Sequence, residues 1–236
     1  MISLLIAATL QIGVYYTFTP ELISLHNREG EFKTERTKID IHKMIGELLR
    51  KAQNEVNKKN FDGRLAIEIK TVFVERWPDY LPTYPYSEDG KKIIDAVDIM
   101  RVWPMVDAIK HPVKADVYLI LTELEIVRFS ERRQRMQLLD GVANDIPGNK
   151  IALATFINSY SNDLEITLLH EIGHMFGLVH PQENLEYPEK NICDHTKLIM
   201  CGNVPSKAEA VFDETYKKAW RDFYYRSTGQ RFEPSR

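Results

Sequence analysis

Five residues of defined type fall at fixed offsets in one segment: His170-Glu171-Ile172-Gly173-His174-Met175-Phe176-Gly177-Leu178-Val179-His180. His170 and His174 are four apart, so one turn of helix sets both imidazoles on the same face. Zinc accepts imidazole nitrogen at roughly 2.0–2.1 Å and favours four tetrahedral ligands. Two ligands on a helix cannot complete that set. Gly177 lets the chain leave the helix in a backbone conformation that other residues avoid, and the turn brings His180 back as a third ligand. Three neutral protein ligands leave the fourth position to water, the mark of a catalytic rather than a structural zinc. Glu171 projects at a different angle of the helix. It is placed to take a proton from that water as it attacks a peptide carbonyl, and to pass the proton to the departing amine. The expected activity is zinc-dependent endopeptidase, with one Zn2+ held by His170, His174 and His180 and with Glu171 as catalytic base.

A lone histidine on an apolar face is most often a satisfied core residue, and His26, His42, His111 and His195 take that reading. Three histidines at these offsets, with Glu after the first and Gly before the third, require five specified residues to coincide. Two rivals remain open. One is a non-cleaving binding or inhibitor module that keeps the zinc; the intact Glu171 argues against it, since a pure binder has no use for that carboxylate. The other is a zinc hydrolase acting on non-peptide amides.

The elements that must position these residues are legible from periodicity. Ile12, Val14, Tyr16 and Phe18 alternate with Tyr15 and Thr17, which predicts a strand over 12–19 closed by Pro20. Ile41, Met44, Ile45, Leu48, Leu49, Ala52 and Val56 recur at helical spacing and predict a helix from about Asp40 to Val56. A turn at Asn60, Asp62 and Gly63 leads to a strand over Leu65 to Val74, and strand–helix–strand at this spacing predicts parallel pairing. Trp77 to Tyr86, with three prolines among aromatics, reads as an ordered loop. A second helix is expected over Glu88 to Val102, ending before Pro104. Asp116 to Thr122 reads as a central strand buried on both faces. Arg132 to Arg135 reads as a solvated face. Gly141 to Asn144 and Lys150 to Phe156, separated by Pro147 and Gly148, read as short strands near a sheet edge. Leu164 to Phe176 is helical, with Asn162 or Asp163 as cap. Ser206 and Glu209 form a capping-box pattern. It would open a final helix carrying Val211, Phe212, Tyr216, Ala219, Trp220 and Phe223 on its apolar side.

The histidine segment fits the extended zinc motif H-E-x-x-H-x-x-G-x-x-H, and here the chain resembles a metzincin metallopeptidase. That resemblance implies a methionine turn beneath the metal, for which Leu198-Ile199-Met200-Cys201-Gly202 is the candidate, with Met200 as an apolar floor rather than a ligand. It implies an α/β catalytic domain: a twisted mixed sheet with two long helices plus the zinc helix, and a small C-terminal subdomain ending in a helix. Residues 11–236 would form that single domain, divided into an upper part to Gly177 and a lower part over 178–236. Substrate would lie extended along the edge strand, with Asn203 to Pro205 in the wall of the specificity pocket. Gln137-Leu138-Leu139-Asp140-Gly141 is similar to the approach to the active helix in adamalysin-type (reprolysin) enzymes, whereas Pro181 after the third histidine is more like serralysins. The tyrosine that serralysins and astacins carry two residues past the turn methionine is replaced by Gly202. No cysteine precedes the zinc helix, so no thiol that could cap the metal is encoded here.

The chain has 236 residues, 44% hydrophobic and 28% charged, ample for one large domain or two lobes sharing a cleft. With 31 Lys plus Arg against 34 Asp plus Glu, a net charge of −3 gives no electrostatic reason to expect nucleic acid as a partner. The expected partner is a protein or peptide substrate. No apolar run reaches the length of a membrane-spanning helix, so no stable membrane insertion is expected. Residues 1–10 include a short apolar run, Ile2 to Ala8, that reads as signal-like but lacks a preceding basic residue. Cys193 and Cys201 are expected to be bonded in an exported protein and to be two free thiols in the cytosol. The reading favours a secreted protein.

Overall fold

A computed structural model describes residues 6–17, 38–74, 78, 81–85, 92–102, 112–122, 124–130, 135–139, 141–143, 151–155, 164–181, 192–201 and 210–232. Strand β1 (Ala8–Thr17) is followed by helix α1 (Lys38–Asn60) and strand β2 (Ile67–Val74). β1 and β2 pair in parallel, Ala8 opposite Ile67, as the strand–helix–strand spacing predicts. β1 begins at Ala8, so the last residues of the signal-like segment are built into this strand, with Ala8 and Leu10 buried. β5 (Val117–Thr122) pairs in parallel on the other side of β1, and β9 (Ile151–Thr155) pairs in parallel with β5. The short strand β8 (Gly141–Ala143) runs antiparallel along β9. The five-stranded order is β2-β1-β5-β9-β8, a mixed sheet with β8 at one edge.

The period-2 alternation of β1 sorts its side chains between two layers. Leu10, Ile12, Val14 and Tyr16 join Val117, Leu119 and Leu121 of β5 in the main core, against α1, helix α3 (Leu164–Met175) and helix α5 (Glu214–Thr228). Tyr15, Tyr118 and Ile120 face the other way. Every residue of β5 is buried, which is why it reads as a continuous apolar run.

That other face is covered by a second sheet, a correction to the sequence reading. The strands β3 (Tyr84–Pro85), β4 (Lys92–Asp95), β6 (Glu125–Ser130) and β7 (Arg135–Leu139) form it in the order β3-β4-β6-β7. Ile94 and Ile126 bury against Tyr15, Tyr118 and Ile120. The described part of the helix expected over 88–102, residues 92–102, is therefore a strand followed by the short helix α2 (Ala96–Val102). Ile93 and Ile94 are both buried, one on each face of the strand, and adjacent apolar residues satisfy a helical stripe equally well. Of the two long helices expected, α1 is long and α2 has 7 residues.

α1 also treats the outer edge of β2. Asn57 Oδ1 accepts from the backbone N–H groups of Ala66 and Ile67, its Nδ2 donates to Ile67 O, and Gln53 Oε1 accepts from Ile69 N–H. Further along, His42 stacks on Phe73 with centroids 4.1 Å apart and lies 2.7 Å from the Tyr16 hydroxyl, a packed role like the one expected for it. The last helix, α5, opens later than its predicted capping box. Asp213 is the cap, accepting from Tyr216 N–H, while Val211 is exposed and bridges Leu198. Tyr216, Trp220 and Tyr224 are its buried stripe. Ser206 with Glu209, the proposed caps Asn162 and Asp163, the wall 203–205, His26 and His111 lie outside the described residues; His195 closes the short helix α4 (Ile192–His195).

Candidate metal centre

α3 carries His170, Glu171 and His174, all buried, along its inward face. The helix ends in a double-bonded cap: Leu178 N–H donates to Gly173 O and Gly177 N–H to His174 O, with Gly177 at φ 86°. That left-handed backbone is open to glycine at little cost and reverses the chain so that His180 returns to the helix face.

The result is convergence of three ring nitrogens. His174 Nε2 lies 3.1 Å and His180 Nε2 3.4 Å from His170 Nε2. Among the described residues this trio is the group of metal-competent side chains, their ligand atoms all within 4.8 Å of one another. Their tautomers follow from what the other ring nitrogens face. His170 Nδ1 is 2.6 Å from Ile199 O, and His174 Nδ1 is 2.7 Å from Leu178 O. A carbonyl only accepts, so each Nδ1 carries the proton and each Nε2 presents a lone pair. Two lone pairs 3.1 Å apart do not hydrogen-bond to each other; a cation between them turns the repulsion into ligation. An ion with bonds of 2.0–2.1 Å in tetrahedral geometry spaces its ligands about 3.3–3.4 Å apart, which the observed separations bracket. The three histidines therefore fit a zinc ion, with main-chain carbonyls fixing ring orientation behind two of them.

The turn at Ile199 and Met200 supplies one of those carbonyls. Ile199, Met200 and Cys201 are buried, and Cys193 and Cys201 are joined by a disulfide with Cα atoms 5.6 Å apart. Met200 packs on the underside of α3 at Gly173, where a Cβ would come 2.5 Å from Met200 Sδ and 3.1 Å from a Tyr216 ring carbon. Tyr216 donates its hydroxyl to Leu169 O at 2.9 Å, and burial pushes its pKa up, so it stays a neutral donor tying α5 to α3.

The Glu171 side chain packs against β8 at Gly141. A Cβ on Gly141 would fall onto its Oε1 and come 2.8 Å from its Cδ. The carboxylate therefore presses on bare backbone of the edge strand of the five-stranded sheet. The spacing argument located His170, Glu171, His174 and His180 but missed three partners. Ile199 O and Leu178 O are main-chain atoms and have no signature in residue type. Gly141 had one, a glycine inside a strand pattern, which marks close approach of another group.

No protein-family model matches the chain, and no curated protein matches it by sequence. Among solved structures, an archaemetzincin from Methanopyrus kandleri is similar at TM-score 0.47 and 15% identity, over 94% of this chain and 97% of that one. An archaemetzincin from Archaeoglobus fulgidus, complexed with malonate, is similar at TM-score 0.39 and 15% identity, over 83% and 88% of the two chains. Metalloproteinase-II from Bacteroides fragilis is similar at TM-score 0.43 and 13% identity, over 92% of this chain and 53% of that one.

Proposed function

We propose that the chain is a zinc-dependent endopeptidase of metzincin type. The observation that carries the reading is the convergence of three imidazole Nε2 atoms, two with their tautomer fixed by a main-chain carbonyl, on the helix whose buried glutamate packs against the sheet's edge strand. Zinc held by His170, His174 and His180 would supply Lewis-acid polarisation of a substrate carbonyl and acidify a water. Glu171, packed against β8, takes a proton from the attacking water and returns it to the departing amine. Burial of His170, His174 and Glu171 excludes bulk water and strengthens each of these charge interactions. β8 has no strand on its outer side among the described residues. An extended peptide pairing there places its backbone directly beside Glu171. The histidine–glutamate helix belongs to an upper part of the domain and the chain after Gly177, with the methionine turn and α5, to a lower part, the substrate lying between them. Among the described residues no helix is long and apolar enough to cross a membrane. The disulfide supports export to an oxidising compartment.

The test is cleavage of casein and of a peptide library, with zinc analysis on the same preparations. Wild type should hold about one zinc per chain and lose activity with a chelator. His170→Ala should lose the zinc. Glu171→Gln should keep zinc and fold but lose ~10²–10⁴-fold in kcat. Equal zinc in His170→Ala and wild type would refute the ligand set. Wild type that binds zinc and cleaves nothing would replace the peptidase with the non-cleaving binder.

A further inference from the structure

We propose that the Cys193–Cys201 disulfide is a positioning device for the metal centre: by holding the turn at Ile199 and Met200 it keeps the Ile199 carbonyl on His170 Nδ1, and so sets how tightly zinc is bound. The inference rests on the zinc reading of the three histidines and asks nothing of the peptidase activity.

The two carbonyls behind the histidines differ in origin. His174 Nδ1 meets Leu178 O, 4 residues on, and that carbonyl arrives with the helix end itself, where Leu178 N–H donates to Gly173 O and Gly177 N–H to His174 O. His170 Nδ1 meets Ile199 O, 29 residues on, at 2.6 Å. No local rule of helix or cap brings Ile199 to the site, so restraints from the rest of the fold must place it.

A carbonyl belongs to a rigid peptide plane, and its direction is fixed by the dihedral angles on both sides of that plane. Upstream, the chain is laddered. Ile199 N–H donates to Val211 O at 3.0 Å, and Val211 N–H donates to Lys197 O at 2.8 Å. Val211 stands between Ala210 and Phe212, both buried in the main core, so this strut is anchored. Downstream, Cys201 follows Met200 and is bonded to Cys193 on α4. Thr196 N–H closes that short helix on Ile192 O, and Cys201 N–H closes the turn on Leu198 O at 2.9 Å. The Ile199 carbonyl thus sits between two clamps, Val211 before it and the disulfide after it. Such a partner fixes the ring and raises the basicity of the ligating nitrogen, and losing one typically costs 10–100-fold in metal affinity. Met200, packed at Gly173, also holds the turn. Breaking the disulfide should therefore loosen the carbonyl without releasing it, which puts the expected loss at about tenfold. Neither cysteine belongs to the metal-competent trio, so the bridge acts on the metal through Ile199 and His170.

The test measures zinc Kd in the full chain by competition with a chelating fluorophore, at a temperature where the protein is folded. Two variants remove the bridge, Cys193→Ser/Cys201→Ser and Cys193→Ala/Cys201→Val. The second fills the buried Cys201 position with apolar atoms, so a folding failure of the first does not close the test. Asn57→Ala is the control, a variant destabilised through β2, whose N–H groups its amide serves. Zinc should bind about tenfold more weakly without the bridge and as in wild type in Asn57→Ala. At saturating Co2+ the visible bands should shift in the bridge variants, because the His170 ring relaxes, and match wild type in the control. Unchanged Kd without the bridge, or equal weakening in Asn57→Ala, would overturn the proposal. Weaker zinc with unshifted Co2+ bands would place the effect elsewhere than His170 and also overturn it. Absence of zinc binding by wild type would sink the metal centre and this inference with it. A wild type that binds zinc and cleaves nothing fails the peptidase reading alone, and the Kd comparison still decides the role of the disulfide.

Discussion

Gly141→Ala should disable the carboxylate while leaving the three histidines in place. The added methyl would occupy space held by Glu171: it meets Oε1 and lies 2.8 Å from Cδ and 3.0 Å from Cγ, where ordinary contact begins at 3.4 Å. β8 is held to β9 by its ladder, so the strand resists moving as a unit and the side chain must give way. A displacement of about 1 Å for a catalytic group costs on the order of 10²-fold in rate. Overpacking of a buried contact should cost about 1–3 kcal/mol in stability. The expected variant therefore binds zinc like wild type, unfolds at a lower temperature, and shows kcat down by about two orders of magnitude with KM little changed. The steric origin is tested by the double variant Gly141→Ala/Glu171→Ala. Removing the glutamate side chain empties the space, so the double variant should regain most of the lost thermal stability, while remaining inactive. Two results would refute the reasoning: full kcat in Gly141→Ala, or stability losses that simply add in the double variant. The first would mean that Glu171 can work from elsewhere, the second that the two residues do not touch.

Met200→Leu should cost less than about 1.5 kcal/mol and keep its zinc, whereas Met200→Ala should cost about 2–5 kcal/mol, because Met200 is buried against Gly173; thermal unfolding with metal analysis reads both, and an inactive, stable, zinc-loaded Leu variant would give Met200 a chemical role. Asn57→Ala strands the Ala66 and Ile67 N–H groups and the Ile67 carbonyl that its amide satisfies, and should cost about 3 kcal/mol in urea unfolding with an unchanged slope; a loss below about 1 kcal/mol would show that water replaces the amide. Replacing Cys193 and Cys201 together with Ser should remove ~2.5 kcal/mol, since the bridge closes a loop between residues 8 apart, and intact mass after alkylation with and without reductant reads the bond directly.

The site was legible because its ligands obey a helical repeat that residue types reveal. His170 and His174 had to share a face once 164–176 was helical, and Gly177 had to be the point of return; its φ of 86° bears that out. Legibility stopped where geometry comes from the main chain. Nothing in Leu178 or Ile199 as residues announces that their carbonyls orient imidazoles. The parallel sheet was legible from the alternation in 12–17 and the unbroken run 117–122, both of which bury large areas locally. The second sheet was not. Ile93-Ile94 suits a strand or a helical stripe, and Phe129, Met136 and Leu138 stand in strands whose outer face is apolar where alternation would ask for polar residues. The final helix was placed early because Ser206 and Glu209 match a capping box, whereas Asp213 caps the helix in the structure; pattern matching at helix starts cannot rank two acceptable caps without knowing which apolar stripe is buried.

The treatment of the sheet margins also bears on self-association. Growth of a fibre by strand addition needs two complementary edges on every copy, one to receive and one to offer. Here α1 lies along β2 and engages Ile67, Ile69 and Phe73, and β3 is too short to template a neighbour. Among the described residues the remaining sheet edges are β7 and β8, and a second copy that paired there would use its own. Such a union is head-to-head, closes on itself and consumes both margins. Pairing by that route would stop at two, and strand addition through these edges would not build a polymer.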